Sequence, residues 1–180
     1  NDVTGSFTKT GSGTFTLGAA NTWGGATVAA GGTLKADCDW AVPANSPVVL
    51  AGGKINFNGK AGSVSKVTYK AGGGQILNAE NVTLPATFDM AIAADEILSG
   101  QSIVLTGNQD LTGKTLTITG DFSALDPTVC RKYAVVSVAD GTISGEPTIT
   151  APALPEGWTL VTNPTGVKLV QPRGTMLIVR

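Results

Sequence analysis

Asp37 and Asp39 flank Cys38, and alternation along a strand would put both carboxyls on one face. Two carboxyls about 5 to 10 Å apart are what glycosidic cleavage requires, one as acid and the other as base or nucleophile. The same oxygens are the beginning of a cation site. Asp89, Asp95, Glu96, Asp110, Asp121 and Asp126 are scattered, and Asp37-Cys38-Asp39 reads more simply as a solvated turn. The chain contains no His, so the commonest general base near neutral pH is missing. Trp23, Trp40 and Trp158 are rings that could stack on sugar. A sugar platform needs several exposed rings on one face, and packing of turns and strand starts accounts for each of the three. Asp37, Asp39 and Trp40 are therefore the candidate glycan or cation contacts, with structural roles as the simpler reading.

Other chemical patterns lose their meaning in context. Gly107 to Thr115 (GNQDLTGKT) has five residues between its glycines where a phosphate-binding loop has four, and a strand-like LTIT follows instead of a helix. Ser63-Val64-Ser65-Lys66 has the S-x-x-K spacing of serine acyl-transfer enzymes, but its flanks read as turn and strand. Asn81-Val82-Thr83 is a glycosylation triplet that an asparagine turn explains equally well. Cys38 and Cys130 lack the partners for a four-ligand zinc site. In an oxidising compartment they read as one disulfide closing a long loop, worth about 4 to 5 kcal/mol; the alternative is two buried thiols. No cofactor and no catalytic residue is expected, and the chain reads as no enzyme.

Charge excludes more than it suggests. Charged residues make up 14% of the 180 residues, against a usual ~25%. Lys and Arg number 12 and Asp and Glu 13, which leaves no basic footprint for nucleic acid. Such a surface has little repulsion to keep copies apart, so it tolerates self-association. No apolar run approaches the ~20 residues of a membrane helix. With no initiator Met or signal peptide at Asn1, the chain reads as a processed product or an excised domain, and Arg180, after an apolar strand, as its natural end.

The elements that would carry these residues are short strands. Thr14–Leu17, Ala26–Ala29 and Thr33–Ala36 alternate, and each is bounded by Gly or Asn. The rhythm continues through Pro47–Leu50, Lys54–Phe57, Lys66–Tyr69, Gln75–Leu77, Val82–Leu84, Thr87–Ile92, Ser102–Leu105 and Thr115–Ile118. The only helical hint is a short amphipathic turn within Ala91–Leu98. Strands every 8 to 12 residues imply coils of about 20 to 25, each burying its apolar face only against its neighbours. Expected inward residues are Phe15, Leu17, Val28, Leu34, Val49, Ile55, Phe57, Val67, Ile76, Leu84, Ile92, Val104, Leu116 and Ile118. Periodicity alone leaves β-helix and β-sandwich both open.

Residues 11–36 favour the first. GTFTL at Gly13, NTWGGATV from Asn21 and GGTL from Gly31 resemble the autotransporter-associated β-strand repeat, over about one repeat and more loosely to about Leu77. The resemblance implies a right-handed parallel β-helix at a bacterial surface. It carries turn glycines and inward aliphatics but no catalytic residues.

The expectation is an all-β chain: a right-handed parallel β-helix (solenoid) over residues 1–126, then a C-terminal antiparallel β cap over 127–180, where strands lengthen and prolines separate them. The expected role is a non-catalytic structural or interaction module of a bacterial cell-surface or secreted protein. It would assemble with copies of itself, or with the rest of a larger surface protein, through terminal strands at Val3 to Phe7 and at Met176, Leu177, Ile178 and Val179. The alternative is a carbohydrate-binding or carbohydrate-cleaving β-helix, with glycan as partner.

Overall fold

Glycine and asparagine interrupt this chain so often that no strand but one exceeds five residues among those described. The structure is a computed structural model that describes residues 4–44, 46–125 and 131–171. Its first pass holds β1 (Phe7–Lys9) and β2 (Thr14–Leu17), and its second β3 (Thr27–Ala29) and β4 (Thr33–Ala36). The third adds a corner strand: β5 (Val48–Leu50), β6 (Lys54–Asn56) and β7 (Gly62–Ser63). The fourth repeats that plan with β8 (Val67–Tyr69), β9 (Gln75–Leu77) and β10 (Val82–Thr83). β11 (Asp89–Ala93), α1 (Ala94–Leu98), β12 (Ile103–Thr106) and β13 (Gln109–Asp110) make the fifth. β14 (Thr115–Thr119), β15 (Lys132–Ala139) and β16 (Ile143–Ser144) make the sixth, and β17 (Thr148–Thr150), β18 (Thr159–Asn163) and β19 (Gly166–Val170) close the described chain.

Each pass hydrogen-bonds to the next. Seven strands, β1-β3-β5-β8-β11-β14-β17, form one parallel sheet, and β2-β4-β6-β9 form a second. β7–β10 and β13–β16 are parallel pairs at the corner. These parallel sheets are consistent with a β-helix. Phe7 lies against Thr27, Thr27 against Val48 and Val48 against Val67, steps of 20, 21 and 19 residues. The step grows to 26 from Asp89 to Thr115 and to 33 from Thr115 to Thr148. The longer passes accommodate α1 and the connection between β14 and β15.

Register decides what is buried. Lys9, Ala29, Leu50, Tyr69, Met90, Leu116 and Ile149 form one inward column, and Phe15, Leu34, Ile55 and Ile76 another. Leu17, Leu34, Ile55, Phe57, Val67, Ile92, Leu116 and Ile118 are buried as the sequence suggests. Val28, Val49 and Val104 are displaced by one residue: Thr27 and Ala29, Val48 and Leu50, and Ile103 and Leu105 face inward instead. In a strand of three or four residues a slip of one moves every side chain to the other face, and the ladder from the neighbouring pass sets the outcome. Ile76 is half-buried. Leu84 is exposed just beyond β10, where pairing has ended. Phe15 belongs to an inward column yet is exposed, because β2 pairs on one side only among the described residues.

Two core clusters result. The first runs from Leu17 to Val67 and the second from Met90 to Leu169. Tyr69 and Phe88 pack against both, ring edge to ring face at 5.1 Å. The helical hint resolves into α1, whose Ala93 N–H donates to the Glu96 carboxylate at 2.8 Å while Ile97 is buried. Among the described residues antiparallel pairing is confined to β15–β19 and β18–β19, so β16 and β17 still continue parallel ladders beyond residue 127.

At some turns the passes approach so closely that only glycine fits. Gly73, with φ +60°, lies against the Val104 carbonyl, which a Cβ would overlap, whereas Gly113 (φ +71°) faces open space. Gly73→Ala should therefore lower stability by about 2 to 4 kcal/mol, against about 1 kcal/mol for Gly113→Ala, which suffers only the left-handed backbone penalty. Urea unfolding of the two variants checks this; equal losses would show that the passes are not packed backbone to backbone.

Candidate functional site

β4 ends at Ala36, so Asp37, Cys38 and Asp39 lie in the turn that follows and not on a strand. The two carboxyls take different work. Asp37 is 4.0 Å from the exposed Lys35 ammonium, and its backbone N–H donates to the Leu17 carbonyl at 2.9 Å. Asp39 Oδ1 accepts from the Ala61 N–H at 2.9 Å and so tethers the next pass. Among the described residues no three His, Cys, Asp or Glu side chains are grouped to hold a metal. Cys38 is a free, half-buried thiol. Cys38 packs against the first core cluster, while Leu125 and Tyr133, on either side of position 130, pack in the second. Cys130 itself lies outside the described residues.

The tryptophans divide. Trp158 is buried near Tyr133, and its indole N–H has no hydrogen-bond partner among the described residues. Trp23 stacks on Phe7 with centroids 5.1 Å apart, and its indole N–H donates to Thr27 Oγ1 at 2.9 Å. Trp40 is different: it is 49% exposed and has φ +59°, a left-handed conformation that a bulky side chain rarely adopts. Its backbone is held from both sides, with N–H donating to the Ala61 carbonyl at 2.9 Å and carbonyl accepting from the Asn21 N–H at 3.4 Å. Asn21 Nδ2 donates to the carbonyls of Ala19 and Ala41 at 2.7 and 2.8 Å. A hollow of about 540 Å³ lies between the loops that end the first two passes, lined by Asn21, Thr22, Trp23, Gly24, Trp40, Pro43 and Ala44. The sequence places Trp23 and Trp40 17 positions apart, and only the step of about 20 residues per pass brings them together.

Two arrangements escape sequence reading. Lys9 is 8% exposed, and its ammonium donates to the carbonyls of Thr10, Gly11 and Gly31. The available signal was alternation, since Lys9 shares a face with Phe7. Asp89 bonds the Lys66 ammonium at 2.7 Å and the Thr115 hydroxyl, joining three passes on the outward face. Bonding to Lys66 first, then to Thr115, holds the Asp89 carboxyl below its ordinary range. Lys66 of the S-x-x-K pattern is thus an ion-pair partner. Lys114 of the GNQDLTGKT stretch lies over the Phe88 ring at 5.2 Å and donates to the Ala86 carbonyl. Asp110 and Asp121 are lowered by bonds from Thr112 and Ser123 in their own turns. Asn81 Nδ2 donates to the Gly59 carbonyl at 2.8 Å, tying one pass to the previous one.

The first pass has an open side. β1 and β2 are the end strands of their sheets among the described residues. Phe7 and Phe15 meet there at 5.6 Å beside a hollow of about 460 Å³. Of the expected assembly strands only residues 4–7 are described; Val3, Met176, Leu177, Ile178 and Val179 lie outside the described residues.

The two passes that carry this geometry are also the ones that find a match. Residues 7–36 match the passenger-associated-transport-repeat family. The matched repeat runs from the first residue of β1 to the last of β4, one complete step of both parallel sheets. No curated protein and no solved structure matches the chain. The repeat match agrees with the autotransporter-type resemblance of residues 11–36, and its turn glycines serve backbone contact between passes: a Cβ on Gly32 would overlap the Gly13 carbonyl. No helix among the described residues is long and apolar enough to cross a membrane.

Asp89 is the residue whose ionisation is tied to the stacking. Its folded-state pKa lies below the unfolded value, so its carboxylate stabilises the fold above about pH 4 and ceases to as pH falls through the folded pKa. Asp89→Asn should lose about 0.5 kcal/mol at pH 7, the modest worth of an exposed pair, and the difference from the parent should shrink as pH falls from 4 towards 2. Urea midpoints at pH 7 and pH 2 check it; a loss that persists undiminished at pH 2 would assign the effect to something other than the charge.

Proposed function

We infer that this chain is a non-catalytic structural or interaction module of a bacterial cell-surface or secreted protein. We read its fold as a right-handed parallel β-helical solenoid with an antiparallel β cap near the C-terminus. The handedness is the one that parallel crossover connections adopt almost without exception. The observation that carries the reading is the repeat match lying on a strand ladder that continues in register for seven strands. A passenger-type repeat points to a secreted or surface location and to a larger protein of which the repeat is part.

Self-association extends this reading. Free strand edges invite pairing, and the open edges of β1 and β2 sit beside exposed Phe15 on a weakly charged chain. The apolar C-terminal sequence Thr175 to Val179 is the segment proposed to pair with them. Light scattering after size exclusion, with negative-stain microscopy of the untagged chain, tests the idea. The parent should form filaments or defined oligomers, and both Phe15→Asp and deletion of residues 174–180 should yield monomers. A monomeric parent, or assembly unchanged in both variants, would overturn the terminal-strand mechanism.

A further inference from the structure

We propose that the hollow between the loops ending the first two passes is a binding site for a neutral saccharide, with Trp40 as its stacking surface. The backbone at Trp40 is strained. A tryptophan at φ +59° stores about 1 to 3 kcal/mol, and glycine or asparagine at this turn position would avoid it. Asn58 and Asn78, in the turns that follow β6 and β9, take φ values of +53° and +48°, as asparagine does without strain. Trp40 holds the conformation because its N–H and carbonyl are bonded to Ala61 and Asn21. The fold thus fixes the backbone while leaving the ring 49% exposed, so packing does not explain why the ring is there.

The surroundings suit one class of ligand. The lining residues are Asn21, Thr22, Trp23, Gly24, Trp40, Pro43 and Ala44, none of them charged. A volume of about 540 Å³ falls within the ~300–1,000 Å³ of small-molecule sites. Asn21 spends both amide hydrogens on the Ala19 and Ala41 carbonyls, which fixes its side chain and leaves Oδ1 as an acceptor with no donor among the described residues. The Trp40 indole N–H and the Thr22 hydroxyl also have no partner within the described protein. Fixed aromatic and apolar walls beside one acceptor, one donor and one hydroxyl match a pyranose, whose C–H face meets the electron-rich ring while its hydroxyls reach the polar groups. An anionic sugar would find no cation in the lining, so the ligand is uncharged. This site is separate from the edges of β1 and β2, so its failure and the failure of the assembly reading are distinguishable.

Saturation-transfer NMR of the full chain with maltotetraose, cellotetraose and chitotetraose tests the proposal, together with quenching of tryptophan fluorescence. At least one tetrasaccharide should receive saturation at its ring C–H protons, and Trp40→Gly should weaken that binding at least tenfold. The same substitution removes a side chain from a left-handed position, so the thermal midpoint should hold or rise, which separates lost binding from lost fold. Absence of transfer to all three sugars overturns the site. So does undiminished binding in Trp40→Gly, or capture of a proline-rich peptide where no sugar binds.

Discussion

A pass of about 20 residues with strands of three or four cannot bury its own apolar face. It gains a core only when the next pass hydrogen-bonds alongside it. Everything else in the structure depends on that backbone ladder. The ladder orders Lys9, Ala29, Leu50, Tyr69, Met90, Leu116 and Ile149 into one column over 140 residues of sequence. It also demands glycine at the closest backbone approaches in the turns, as at Gly32 and Gly73. Among the described residues only the seven-stranded sheet runs from the first pass to the last. The second sheet stops at β9, the next strand on that side, β12, pairs with β15, and the core divides at Tyr69 and Phe88. That division coincides with the first lengthened pass, where α1 is inserted.

The same constraint explains the polar side chains. A charge or amide on a stacked pass serves best by reaching across to a neighbouring one. Asp39 to Ala61, Asn78 to Asn56, Asn81 to Gly59 and Asp89 to Lys66 and Thr115 all do so. Lys9 does it from inside, fastening the first turn by three carbonyls where an apolar residue would otherwise face an open end. Side chains that resemble fragments of catalytic motifs in the linear text are thus spent on holding passes together. Trp40 is an exception, exposed at a position whose backbone the ladder has fixed.

Strand class, turn positions and the length of the early passes were legible in the sequence, because Gly and Asn mark turns and Thr and Val mark strands by local chemistry. Face assignment was legible only in part. Leu34, Ile55 and Leu116 follow alternation, but at Val28, Val49 and Val104 the apolar residue at mid-strand points outward and its neighbours fill the core. In so short a strand the pattern holds no redundancy, and the register comes from the adjacent pass. The Cys38–Cys130 bridge was a pairing by count and compartment. Nothing in the sequence revealed that the segments flanking position 130 pack in the other core cluster. The Trp23–Trp40 corner was equally hidden, since its proximity depends on a step length that only the ladder fixes.

The claim at the centre of this account is that successive passes stack one strand spacing apart along the seven-stranded sheet. Pulsed electron–electron resonance between spin labels on the outward column measures it directly, in a background with Cys38 and Cys130 changed to Ser. Thr8 and Thr115 are five steps apart and Thr8 and Thr148 six. At ~4.8 Å per step the label distances should centre near about 24 and about 29 Å, the second longer by one strand spacing. A Thr148 label as close to Thr8 as the Thr115 label, or closer, would mean that the chain folds back as in a sandwich, and the account would fail.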